Sequence, residues 1–206
     1  MFELIQKGGP VMYPIILCSI LAFAIVIERL YHLYKAKIDT KEFMNNIEIT
    51  IKRNRIAEAI KICDETPGPI AHIVKTGVLK HDRTRQEIRE SIEDAGHLEV
   101  PRLEKHLSLL ATIAHISPLL GLLGTVTGMV RAFQVIQEKS VSFNTVSPGD
   151  LAGGIWEALL TTVAGLSVAI PTVVAYNYLV NRVDEFVLDM ERSATEVMNI
   201  LSQKGE

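Results

Sequence analysis

Three stretches almost without charge dominate this sequence: Pro10 to Ile27, His106 to Val130 and Ala158 to Asn181. A helix rises roughly 1.5 Å per residue, so about 18 to 20 apolar residues cross the ~30 Å hydrocarbon layer of a bilayer. All three runs reach that length. The rival assignment is three core helices of a soluble protein, but 206 residues cannot wrap three such helices in enough polar structure. The reading is therefore three transmembrane helices. Segregation also reconciles a 48% hydrophobic fraction and a mean hydropathy of +0.24 with a chain that is 22% charged.

Charge sets the expected orientation. Fourteen Lys/Arg residues lie between Lys35 and Lys105, whereas the loop after the second span offers only Arg131 and Lys139. The positive-inside rule then places residues 35–105 and the C-terminal tail in the cytoplasm and the N-terminus outside. Thirteen acidic residues share the long segment, so it reads as a folded mixed-charge region and not a polybasic tether. The first span carries Glu3 near its start and runs into Glu28-Arg29 with no small-residue cleavage site, which suits a retained anchor. Tyr31, Tyr34, Lys35 and Lys37 at its exit suit a headgroup interface.

The expected fold class is all-α, an integral membrane protein with long helices extending into a cytoplasmic helical domain. Its segments are a periplasmic N-terminus (1–9), a first span (10–34), the cytoplasmic domain (35–105), a second span (106–137), a periplasmic loop (138–150), a third span (151–181) and a cytoplasmic C-terminal helix (182–206). Ile47, Ile51, Ile56, Ala59, Ile60 and Cys63 recur at helical spacing until Pro67-Gly68-Pro69 breaks the pattern. A short helix through Ile70, Ile73, Val74 and Val78 follows. Thr84 with Glu87 forms a capping box before a helix through Ile88, Ile92, Ala95 and Leu98, expected to pass Pro101 and continue into the second span. The tail repeats an apolar stripe through Val183, Phe186, Val187, Met190, Ala194, Val197, Met198 and Leu201, so the third span is expected to run on as one helix.

Several functions find no support. A net charge of −3 without a basic aromatic cluster argues against nucleic acid. Cys18 and Cys63 have no disulfide or zinc spacing. No nucleophile with its base, metal cluster or GxxxxGK[ST] loop can be assembled, so no enzyme, cofactor or metal is expected.

The chemistry concentrates in the second and third spans. Gly121, Gly124, Thr125, Gly128 and Ala132 share a helix face whose small residues admit another helix, with Gly154 and Gly165 as small positions on the third span. Glu157 is followed by 24 uncharged residues. A carboxylate there costs several kcal/mol unless it is protonated, paired or wet, which makes it a functional candidate. The alternative is an outer-interface carboxylate paired with Arg131 or Lys139 of its own or a neighbouring chain. Glu157, Thr161, Ala164 and Val168 fall on one face, flanked by Thr162 and Gly165. Thr125, Thr161 and Thr162 offer oxygens to an ion or water chain, or simply bond back to their own helices. His115 reads as a hydrogen-bonded structural residue, Glu28 and Arg29 as a boundary pair, and Trp156 as an interfacial anchor.

Two strings, Pro118-Leu-Leu-Gly-Leu-Leu-Gly-Thr-Val-Thr-Gly128 and Gly154-Ile-Trp-Glu-Ala-Leu-Leu-Thr-Thr-Val-Ala-Gly-Leu-Ser-Val-Ala-Ile-Pro171, resemble the diagnostic segments of the ExbB/TolQ/MotA proton-channel family. Length and three spans are similar to ExbB and TolQ, since flagellar MotA has a fourth span. The resemblance implies a homopentamer in the bacterial inner membrane around a dimer of a single-span ExbD/TolR-like partner. A membrane aspartate on that partner carries the ion, and a TonB/TolA-like transducer delivers the work. The family's threonines and third-span glutamate fall on Thr125, Thr162 and Glu157. Thr161 departs from relatives, which often have alanine there. The translocated ion is H+ by likeness to ExbB and TolQ, with Na+ the alternative. Other readings are a flagellar or gliding-type stator and a non-conducting membrane scaffold.

Overall fold

The computed structural model describes residues 8–141 and 147–202. Among them are seven helices and no strand: α1 (Met12–Ala36), α2 (Thr40–Lys52), α3 (Ile56–Glu65), α4 (Pro69–Leu79), α5 (Arg85–Leu103), α6 (Leu107–Val141) and α7 (Pro148–Ser202). The all-α class and three helices long and apolar enough to cross a membrane are thus present. Residues 1–7, 142–146 and 203–206, which include parts of the expected N-terminus, periplasmic loop and C-terminal helix, lie outside the described residues.

The chain divides into two units, Met1–Ile27 with His106–Asn177 and Glu28–Lys105 with Tyr178–Glu206. In the first, α1 buries Met12, Ile15, Ala22 and Ile25 at helical spacing and exposes Leu17, Ile20, Phe23 and Ile27. On α6, Leu119, Leu122, Leu123, Val126 and Met129 are likewise exposed. Large apolar side chains turned outward over whole spans suit lipid as solvent, where packing and not water exclusion joins helices.

The second unit has an ordinary core. Phe43, Ile47 and Ile51 of α2, Ala59 and Cys63 of α3, Ile70, Val74 and Val78 of α4, and Ile88, Ile92 and Ala95 of α5 are buried, as are Val183, Met190, Val197 and Leu201 of α7. Asp39 caps α2 through the backbone amides of Lys41 and Glu42, and Thr84 with Glu87 forms both bonds of the capping box on α5.

Two expected continuities are broken. The stripe from Ile47 to Cys63 is two helices, because Asn54 takes φ +61° and the Arg53 amide turns back to the carbonyls of Ile49 and Ile51. The helix through Leu98 does not continue into the second span: α5 holds Pro101 in its last turn and ends at Leu103, and His106 takes φ +65° before α6 begins. Asn and His are among the few residues with a side chain that adopt this left-handed region readily, which is why the chain turns there. The long third helix is continuous from Pro148 to Ser202, through Pro171.

Candidate ion-pathway site

Within the first unit α6 and α7 meet along a seam of small residues. A Cβ added to Gly165 would stand 2.6 Å from the Ser117 carbonyl oxygen and 3.1 Å from the Gly121 Cα. One on Gly121 would stand 3.1 Å from the Thr162 Cα. Farther along, a Cβ on Gly128 would lie 2.7 Å from the Gly154 carbonyl oxygen, and one on Gly154 would lie 2.6 Å from that of Gly128. Gly124 leaves the space that Thr161 fills. Gly121, Gly128, Gly154 and Gly165 therefore let two backbones approach where a side chain would hold them apart, while Gly124 makes room for the Thr161 side chain.

Glu157 lies at one end of this seam and is 7% exposed. Arg131 Nη1 donates to both of its oxygens, Oε1 and Oε2, each at 2.6 Å. The charge is taken by α6 of the same chain, the pairing given above as the alternative to an ion-lining role. Gly9, at φ +66°, closes over the pair: an added Cβ would collide with Glu157 Oε1 and lie 3.1 Å from Arg131 Nη1. Reading the sequence missed Gly9; the Gly8-Gly9-Pro10 run was its one local signal.

The threonines separate. Thr161 is fully buried, and its hydroxyl donates to the Glu157 and Ala158 carbonyls of its own helix, at 3.0 and 2.9 Å. Thr162 reaches across to the Gly121 carbonyl of α6 at 3.3 Å. Thr125 is half-buried beside the glycine row and donates to the Leu122 carbonyl at 2.6 Å. The structure thus gathers Glu157, Thr161 and Thr162 at the seam, while the Thr125 hydroxyl stays with its own turn. His115 Nδ1 lies 2.7 Å from the Ala111 carbonyl, four residues back, in the manner of a structural histidine.

The second and third spans thus form a helix pair with glycine-mediated backbone contact, a buried carboxylate and two threonine hydroxyls along the same seam. Residues 65–192, which carry this pair, match the MotA/TolQ/ExbB proton channel family. The chain belongs to that family. It is similar to an ExbB homolog of Methanothermobacter thermautotrophicus, 27% identical over 92% of this chain and 66% of that protein, so it spans just under two thirds of that longer relative. It is also similar to a Synechocystis protein named biopolymer transport protein ExbB-like 3 (34% identical; 84% of this chain, 81% of the relative). The Tol-Pal system protein TolQ of Haemophilus influenzae is 30% identical over 91% of this chain and 85% of its own length. The chain is a membrane-spanning channel subunit of the ExbB/TolQ type.

Proposed function

We propose that this chain works in the inner membrane as the larger subunit of an ion-driven motor. In this reading five copies surround a dimer of an ExbD/TolR-like partner and couple proton flow to work on periplasmic or outer-membrane proteins. The N-terminus lies in the periplasm and residues 35–105 lie in the cytoplasm, as the basic residues direct. The observation that supports the reading best is the seam itself. It buries a carboxylate, Glu157, and carries Thr161 and Thr162 farther along, in the two spans that hold the family's segments.

The chain's contribution is electrostatic. Both Glu157 oxygens are held by Arg131, so ion passage along this face exchanges or polarises that pair, and the carboxylate that loads and unloads the ion belongs to the partner. The Thr162 hydroxyl, anchored on the Gly121 carbonyl, offers a further oxygen farther along the seam. The same pairing is what a non-conducting scaffold would show, and one experiment separates the two. The chain is co-reconstituted with its single-span partner, and proton uptake is followed in vesicles for Glu157→Gln and Thr162→Val. Conduction predicts a fall of about tenfold or more in at least one variant with assembly intact, roughly the loss of one positioned polar group. Full flux in both would leave only the scaffold.

A further inference from the structure

In the second unit a cleft of about 460 Å³ opens between the end of α1, the start of α4 and the end of α5. Arg29, Arg102 and Lys105 line it together with His32 and His72. Two carboxylates also line it, and each is already engaged. Glu28 accepts from Arg29 Nη2 at 2.8 Å, and Glu99 accepts from Arg102 Nη1 at 2.6 Å with His72 Nδ1 at 3.2 Å. Lys105 makes no ion pair among the described residues, so the cleft carries an unbalanced positive charge.

Arg29 adds an independent observation. It is 4% exposed, its Nη1 donates to the Arg102 carbonyl at 3.2 Å, and its Nε is buried without an acceptor. A buried guanidinium N–H left unpaired bears a desolvation penalty that an anionic oxygen would remove. The start of α4 faces the same cleft through Gly68 and His72, and among the described residues no side chain caps it. An uncapped helix N-terminus beside several cations strengthens the preference for an anion.

We propose that this cleft binds a phosphate-bearing anion, held by Arg29, Arg102 and Lys105 against the start of α4. Arg29 lies two residues past the end of the uncharged run at Ile27, which sets the cleft at headgroup depth. The expected source is therefore the phosphodiester of an anionic lipid, with free phosphate the other source of the same chemistry.

The test uses the purified full chain in a nonionic detergent. It is titrated at constant ionic strength with phosphatidylglycerol, phosphatidylcholine or inorganic phosphate, and read by native mass spectrometry and thermal shift. Arg29→Gln also removes structural bonds, so the exposed double variant Lys105→Gln/Arg102→Gln carries the comparison, with Lys52→Gln as a charge control outside the cleft. Phosphatidylglycerol is expected to be retained in preference to phosphatidylcholine, with retention falling about fivefold for each cleft charge removed and unchanged in Lys52→Gln. Stabilisation by inorganic phosphate instead, lost in the same double variant, would keep the site and assign it to a soluble anion. Equal retention of both lipids without a phosphate effect overturns the proposal, as does a preference that survives the double variant.

Discussion

Arg131 Nη1 stands 2.6 Å from each carboxylate oxygen of Glu157, joining α6 to α7 across 26 residues of sequence. Glu157 is buried while the Arg131 side chain is 47% exposed, so loss of the two partners is unequal. Arg131→Gln strands a buried carboxylate; Glu157→Gln leaves a cation that can reach water. The first is expected to destabilise more, and the double variant to recover part of the loss. A coupling energy of roughly 1–3 kcal/mol from a double-mutant cycle of detergent unfolding is the expected result; additive effects would show that the pair does not hold the helices.

The glycine seam predicts a position-specific response to one methyl group. Gly128→Ala and Gly165→Ala place a Cβ 2.7 and 2.6 Å from carbonyl oxygens, and each should cost about 1–3 kcal/mol through forced separation of α6 and α7. At Gly153 nothing lies within 4 Å, so Gly153→Ala should be neutral or stabilising by up to about 1 kcal/mol. Thermal unfolding of the three purified variants makes the comparison.

For the neighbouring threonines the expected readouts differ. Thr161 bonds only its own helix, so Thr161→Val should cost at most about 1 kcal/mol and leave helix association intact. Thr162→Val removes a bond between helices, worth about 0.6 kcal/mol by the average for such bonds in membranes. It should therefore weaken recovery of the α6–α7 pair in a fragment-association assay where Thr161→Val does not.

The start of α5 gives a pH prediction. The Thr84 backbone amide and then its hydroxyl hold the Glu87 carboxyl below its ordinary value of 4.5. A depressed folded pKa stabilises above the unfolded value and is lost as pH falls through the folded one. The helix start should therefore be at full strength at neutral pH and weaken below about pH 4.5, with the dependence absent in Glu87→Gln. Thr84→Ala should cost about 1 kcal/mol at neutral pH. Amide exchange over residues 85–90 reports both.

Cys63 is 4% exposed, and burial, then the neighbouring Asp64, pushes its thiol up to about 12. The neutral thiol is the folded form, so its contribution is complete below the unfolded value of 9.0 and is lost as pH rises toward 12. Maleimide at pH 8 should leave Cys63 unmodified in the folded protein and label it on denaturation, as peptide mapping would show.

Local patterning determined much of this protein. The charge-free runs dictated three spans because hydrocarbon admits few unpaired charges, and the spacing of Gly121, Gly124 and Gly128 marked the close face of α6 because helical periodicity places them together. The Thr84–Glu87 cap was legible for the same reason, its partners lying within one turn. The breaks at Asn54 and His106 were not legible, since apolar spacing carries through a single left-handed residue almost unchanged. Only the tertiary structure chose Arg131 from the partners open to Glu157, laid Gly9 over that pair, and gathered Arg29, Arg102 and Lys105 around one cleft. Those relations depend on how distant segments register against one another, a quantity set by packing in three dimensions and carried by no short stretch of sequence.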